Sequence, residues 1–107
     1  MTERIQTKEK MINVNKTGNG KNDVLLIFIH GLTGNYLQMH HFQEHFKETY
    51  DTLSYDLSGR GDSSIQESPT NIHQHTDDLL QLIDSLDYDK FILAGYSMGG
   101  YIALDTA

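Results

Sequence analysis

Phe91-Ile92-Leu93-Ala94-Gly95-Tyr96-Ser97-Met98-Gly99-Gly100 is the stretch whose reading decides the fold. Phe91 to Ala94 form an apolar run of strand length, and the residues from Met98 onward suit a helix. A Gly-x-Ser-x-Gly match is modest support alone, and its context makes it specific. A serine held on a tight strand-to-helix turn needs small residues two before and two after it, so that strand and helix can approach closely. Gly95 and Gly99 occupy those places. An idle glycine-rich turn or a phosphate loop is the competing reading. A P-loop requires Gly-x-x-x-x-Gly-Lys-Ser/Thr, and the segment has neither that lysine nor that spacing; the dinucleotide Gly-x-Gly-x-x-Gly is absent too.

The chemistry gives each position a role. Ser97 Oγ is expected at the carboxyl end of a central strand, where open α/β sheets place ligands. The backbone N–H of Met98 is expected at a helix start, where unpaired donors and the helix dipole favour negative charge. That suits an oxyanion developing on an attacked carbonyl.

Working outward, Val24-Leu25-Leu26-Ile27-Phe28-Ile29 predicts a strand covered on both faces, because the run is apolar without alternation. Thr52-Leu53-Ser54-Tyr55 predicts a second central strand, and Phe91 to Ala94 a third buried one. Met39, Phe42 and Phe46 recur at helical spacing through Tyr36 to Lys47, with Asn35 placed as N-cap. Pro69-Thr70-Asn71 opens a further helix. Its expected buried stripe is Ile72, Leu79, Ile83 and Leu86, with Asp77, Asp78, Gln81 and Asp84 facing water. Residues 3–16 alternate as extended chain, and Asn19-Gly20 is a type I′ turn signal, so polar outer strands are expected at a sheet edge. After this leading hairpin, strands alternate with helices, which predicts βαβ units and a mainly parallel sheet in one α/β domain.

Composition excludes several function classes. The 107 residues carry a net charge of −7, against a nucleic-acid binder, which needs a basic face. Five basic residues (Arg4, Lys8, Lys10, Lys16, Lys21) gather near the start; interruption by Glu3 and Glu9 makes them a solvated hairpin rather than a membrane arm. There is no cysteine, hence no disulfide, zinc–thiolate site or cysteine nucleophile. The polar N-terminus lacks the apolar core of a signal peptide, and no apolar run is long enough to span a bilayer. A cytoplasmic protein acting on a small molecule, without cofactor, metal or membrane partner, is the expectation. His41 and His45 stand four apart on one helix face with His40 and Glu44 nearby, but lack a third metal ligand; His73 and His75 are two apart and point to different faces.

Three segments together resemble the α/β-hydrolase superfamily in its small esterase-like branch. They are Ile29-His30-Gly31-Leu32, Asp56-Leu57-Ser58-Gly59-Arg60-Gly61-Asp62-Ser63 and Gly95-Tyr96-Ser97-Met98-Gly99-Gly100, each following a strand. The resemblance implies that Ser97 is the nucleophile and that the oxyanion hole is formed by the backbone N–H groups of Leu32 and Met98. It also implies that His30 supports its loop and is not the catalytic base, and that Asp56 is not the triad acid. The expected activity is a serine hydrolase acting on an ester, thioester or related carbonyl through an acyl-enzyme. Serine in place of aspartate disfavours the dehalogenase and epoxide hydrolase branches. The Gly-Tyr-Ser-Met-Gly-Gly wording is also similar to the menaquinone-pathway lyase of this fold, although that branch usually has arginine where this chain has Tyr101.

In this fold the triad order is Ser, then Asp or Glu, then His. All six histidines precede Ser97, and Asp105 lies too far along its helix to orient a base. Residues 1–107 are therefore expected to be the N-terminal part of one α/β-hydrolase domain, truncated at the C-terminus and inactive alone. Such a piece is expected to be poorly stable and aggregation-prone. A non-catalytic, truncated hydrolase-like protein is the alternative.

Overall fold

The computed structural model describes residues 2–7, 10–18, 23–31, 36–57, 72–96 and 98–107. Five strands, β1 (Thr2–Gln6), β2 (Met11–Thr17), β3 (Val24–Ile29), β4 (Asp51–Tyr55) and β5 (Lys90–Gly95), form one sheet in the order β1-β2-β4-β3-β5. Three helices, α1 (His40–Phe46), α2 (Ile72–Asp84) and α3 (Met98–Thr106), connect or follow them; a 3-10 turn, Tyr36–Met39, leads into α1.

The unbroken apolar run of β3 has its cause in this order. β3 pairs in parallel with β4 on one side and β5 on the other. Leu25, Ile27 and Ile29 join Leu53, Tyr55, Ile12 and Val14 in a core completed by Leu79 and Leu82 of α2 and Ile102 of α3. Leu26 and Phe28 belong to a second core, with Met39, Phe46 and Tyr50. Side chains alternate between faces with a period of two, so a strand covered on both faces must be apolar at every position. Each such fully buried side chain contributes roughly 1.5–3 kcal/mol.

Toward α1, the neighbouring strands turn polar. Gln43 is fully buried in α1. Its amide nitrogen donates to Asn15 O (2.9 Å) and to Thr52 Oγ1 (3.1 Å). Its carbonyl oxygen accepts from Ser54 Oγ (2.8 Å) and Asn15 Nδ2 (3.2 Å). Thr17 and Thr52 hydroxyls bond to each other beside it. Every polar atom of the amide is matched, which makes its burial tolerable.

The expected order of strands and helices is observed, and β3, β4 and β5 run parallel. With β1–β2 and β2–β4 both antiparallel, the sheet is mixed. Several local expectations are corrected. Extended chain does not continue from residue 3 to 16, because it turns between Thr7 and Lys10. There Thr7 N donates to Lys10 O (2.7 Å), and Thr7 Oγ1 accepts from Lys10 N (3.2 Å). A threonine side chain closes this turn without glycine. Asn19-Gly20 lies outside the described residues, and the segments flanking it, β2 and β3, are not neighbours in the sheet. β2 is interior rather than outer, and its Asn13 and Asn15 are buried.

Asp78, expected in water, is buried and pairs with Lys10 Nζ at 2.8 Å, tying the β1–β2 turn to α2. Leu82 joins the buried stripe, whereas Ile83 and Leu86 are only partly buried. Phe42 is half exposed, although its ring stacks on Phe28; Gln43 takes the buried place in that turn of helix. β5 is not buried like β3. It is the last strand of the described sheet, and Ile92 is 45% exposed. Leu80, Ile83, Phe91, Leu93 and Leu104 line an apolar hollow beside it. Asn35 and Pro69 to Asn71 lie outside the described residues. Among those described, no helix is long and apolar enough to cross a membrane.

Candidate active site

The carboxyl ends of β3, β4 and β5 meet at one corner. β5 leads into α3 through Gly95 and Tyr96, and two glycines set how tightly. A Cβ on Gly95 would stand 2.1 Å from the carbonyl oxygen of Gly99. A Cβ on Gly99 would stand 2.2 Å from Ile29 O and 2.8 Å from His30 O. Neither position accommodates a side chain, so strand and helix lie against each other as a nucleophile turn requires. Gly100 meets only Gly95 O at 3.6 Å, an ordinary contact. Gly99 N donates to Tyr96 O (2.9 Å), and Tyr96 N donates to Ile29 O (3.0 Å), which stitches the turn to the end of β3.

α3 begins at Met98, so the N–H of that residue is among the helix donors with no partner one turn earlier. The Met98 side chain packs against the main core, which anchors the helix start. Because Gly99 rests on the Ile29 and His30 carbonyls, the beginning of α3 is held directly against the segment that leaves β3. Ser97 and Leu32, the two other expected site residues, lie outside the described residues.

His30 is fully buried under this corner. Its Nδ1 lies 2.6 Å from Gly31 O, and its Nε2 lies 3.0 Å from the backbone nitrogen of Leu57. Both ring nitrogens are occupied by main chain, so His30 is not available as a general base. Asp56, also buried, accepts from Asn13 Nδ2 (3.1 Å), while its own N–H donates to Asn13 O (3.0 Å). Asn13 therefore braces the chain as it leaves β4. Nothing in its sequence neighbourhood marks it for that place.

The remaining titratable groups lie elsewhere. His73 Nδ1 is 3.0 Å from Asp105 Oδ2, and Thr76 Oγ1 donates to the same oxygen at 2.8 Å. The Thr76 hydroxyl, then His73, holds the Asp105 carboxyl below its ordinary pKa. Asp105 stands seven positions beyond Met98, roughly 10 Å of helical rise from the helix start. This pair clasps α2 to α3. His73 is exposed and His75 buried, as their spacing implies. His41 and His45 are exposed on α1. Among the described residues no group of three or more His, Cys, Asp or Glu side chains is gathered as a metal site.

A family model for the alpha/beta hydrolase fold matches residues 24–107. The chain belongs to this family. A Haemophilus influenzae protein carrying an esterase/lipase name is 37% identical over 83 residues, which are 78% of this chain and 29% of that protein. The 2-succinyl-6-hydroxy-2,4-cyclohexadiene-1-carboxylate synthase of Escherichia coli O157:H7 is 35% identical over 82 residues, 77% of this chain and 32% of the synthase. The crystal structure of a membrane phospholipase A superposes on 99% of the chain with a TM-score of 0.92 at 26% identity, and the chain covers 34% of it. The chain thus spans about a third of the length of these family members.

Proposed function

We propose that this polypeptide supplies the nucleophile and oxyanion hole of a serine hydrolase acting on an ester, thioester or related carbonyl. The observation that carries the reading is the close approach at Gly95 and Gly99, which sets the start of α3 against the main chain of Ile29 and His30 at the end of β3. In this reading Ser97 Oγ attacks the carbonyl carbon as its proton passes to a general base. The carbonyl oxygen takes up the negative charge between the N–H groups of Leu32 and Met98. Collapse of the tetrahedral intermediate expels the alcohol or thiol, which takes the proton from the base, and leaves an acyl group on Ser97. Water, deprotonated by the same base, then releases the acid and restores the serine. No histidine follows Ser97 in this sequence. With the triad order Ser, acid, His, base and acid are assigned to polypeptide outside these 107 residues.

The similarity to the E. coli synthase favours a second reading, a lyase using the same serine corner. Tyr101, where that branch usually carries arginine, speaks against it. The test is reaction of the full-length gene product with a fluorophosphonate probe, followed by turnover of a panel of acyl esters. Labelling that Ser97→Ala abolishes, together with ester turnover, is the expected result. A folded full-length protein that takes no label refutes the serine-hydrolase reading. Labelling of Ser97 without turnover of any ester favours the lyase.

A further inference from the structure

We propose that His41 and His45 form a two-histidine chelate for a divalent transition-metal ion, Cu²⁺ ahead of Ni²⁺ and Zn²⁺, on the outer face of α1. The inference is independent of the hydrolase reading and rests on how the two rings are placed. Both residues lie inside the helix His40–Phe46. Four positions along a helix amount to one turn plus about 40°, which leaves the two Cβ atoms about 5–6 Å apart. Imidazoles so placed can converge on one ion at metal–nitrogen distances of about 2.0–2.1 Å. Both side chains are exposed, and among the described residues neither makes a hydrogen bond or ion pair. Their contacts are between rings: His41 with His40, centroids 6.4 Å apart, and His45 with the Phe46 ring at 4.8 Å. Either imidazole can therefore turn toward a cation without giving up a hydrogen bond.

The neighbours decide the kind of ion. Glu44 is already engaged, with Lys47 Nζ at 2.7 Å and His40 Nε2 at 3.8 Å. It is not gathered with the pair, in keeping with the lack of any three-member group among the described residues. α1 thus does not offer the four protein ligands of a closed structural zinc site. Two imidazoles, with water in the other positions, suit the tetragonal nitrogen and oxygen coordination of Cu²⁺ and Ni²⁺, and nitrogen sites of this kind bind Cu²⁺ most tightly. The helix itself gains from such an ion. It is seven residues long, its N-cap Met39 makes no side-chain cap bond, and its first turn holds no acidic residue. So short a helix is marginal alone. A cation bridging its turns on the outside reinforces what Gln43 and Phe46 hold on the inside.

The metal alone is the probe. CuCl₂ is titrated by calorimetry into the full-length protein, and into His41→Ala, His45→Ala, the double variant and His40→Ala. All three side chains are exposed on α1, so each variant is expected to keep the wild-type circular dichroism spectrum. The wild type should bind one equivalent of Cu²⁺ that the double variant loses. Its affinity should fall at least about 10-fold in either single variant and stay within about two-fold in His40→Ala. Electron paramagnetic resonance of that equivalent should show coupling to two nitrogen ligands. Ni²⁺ at about 100 times its Kd should raise the melting temperature of the wild type by roughly 5–10 °C relative to the double variant. A wild type that takes up no Cu²⁺, or a double variant with the wild-type stoichiometry, overturns the proposal. So does a loss in His40→Ala equal to that in the His41 and His45 variants. Ser97→Ala should bind Cu²⁺ as the wild type does, so this result and fluorophosphonate labelling stand or fall separately.

Discussion

Gly99→Ala and Gly100→Ala, one residue apart in the same helix, are expected to move stability in opposite directions. A methyl group on Gly99 would sit 2.2 Å from Ile29 O and 2.8 Å from both Ile29 C and His30 O. All three atoms are main chain of the central strand and its end, so no rotamer change relieves the clash. α3 must retreat by about 1 Å, which pulls Met98 and Ile102 from the core and forfeits close contacts along the helix. Overpacking of this kind costs about 1–3 kcal/mol, and a backbone obstacle places Gly99→Ala at the upper end. A methyl group on Gly100 meets only Gly95 O at 3.6 Å. There the gain in helix propensity, up to about 1 kcal/mol, is unopposed. The two variants should therefore differ by about 3–4 kcal/mol. Urea denaturation of the full-length protein reads this as a shift in midpoint at constant slope. Equal stabilities for the two variants would refute the close-packed turn. So would a Gly99→Ala protein that is fully stable and still takes up a fluorophosphonate at the wild-type rate.

Two tyrosines give further tests. Tyr55 is buried with no hydrogen-bond partner for its hydroxyl among the described residues, and burial pushes its phenol well above the ordinary range. Since an unsatisfied buried polar group costs about 1–3 kcal/mol, Tyr55→Phe should raise stability by about 1 kcal/mol; a loss of that size would reveal a partner for the hydroxyl. Tyr88 Oη donates to Asp51 at 2.8 Å, and burial, then this bond and the Asp51 charge, push the phenol up to about 12. The unfolded phenol ionises near pH 10, so the folded chain holds a proton that the unfolded chain releases. This contribution is complete below about pH 10 and is lost as pH rises toward about 12. Denaturation midpoints across that window should fall less steeply in Tyr88→Phe than in the wild type; parallel profiles would contradict the assignment.

The order of elements was legible because β3 shows its two covered faces as an unbroken apolar run, and because glycines flank the serine where strand and helix must touch. Patterning failed where polar residues were buried for specific partners. Asp78 looks like a solvated helix face until Lys10, far away in sequence, is brought beside it. Gln43 and Asn15 look equally ordinary, and only the stacking of α1 on β2 and β4 makes them a matched network. The turn at Thr7–Lys10 was missed because a side-chain hydroxyl replaces the usual glycine signal. β5 read as buried because its composition matches that of an inner strand, whereas its exposure depends on what lies beyond it in the sheet. At the candidate site, no spacing rule contains the bonds that His30 makes to Gly31 and Leu57.

The strand order also dictates the sequence of events in assembly. Thr2 pairs with Asn15 across a hairpin that can form from local contacts alone, but Val24 pairs with Lys90. Closing so long a stretch of chain must precede any reward from the β3–β5 ladder, and such non-local pairings are slow. The corner where Gly99 rests on the Ile29 and His30 carbonyls lies later still along the chain. That contact cannot form until the ribosome has released the start of α3. This corner is therefore expected to form later than the β1–β2 hairpin, and until then the apolar edge of β3 needs shielding from other chains.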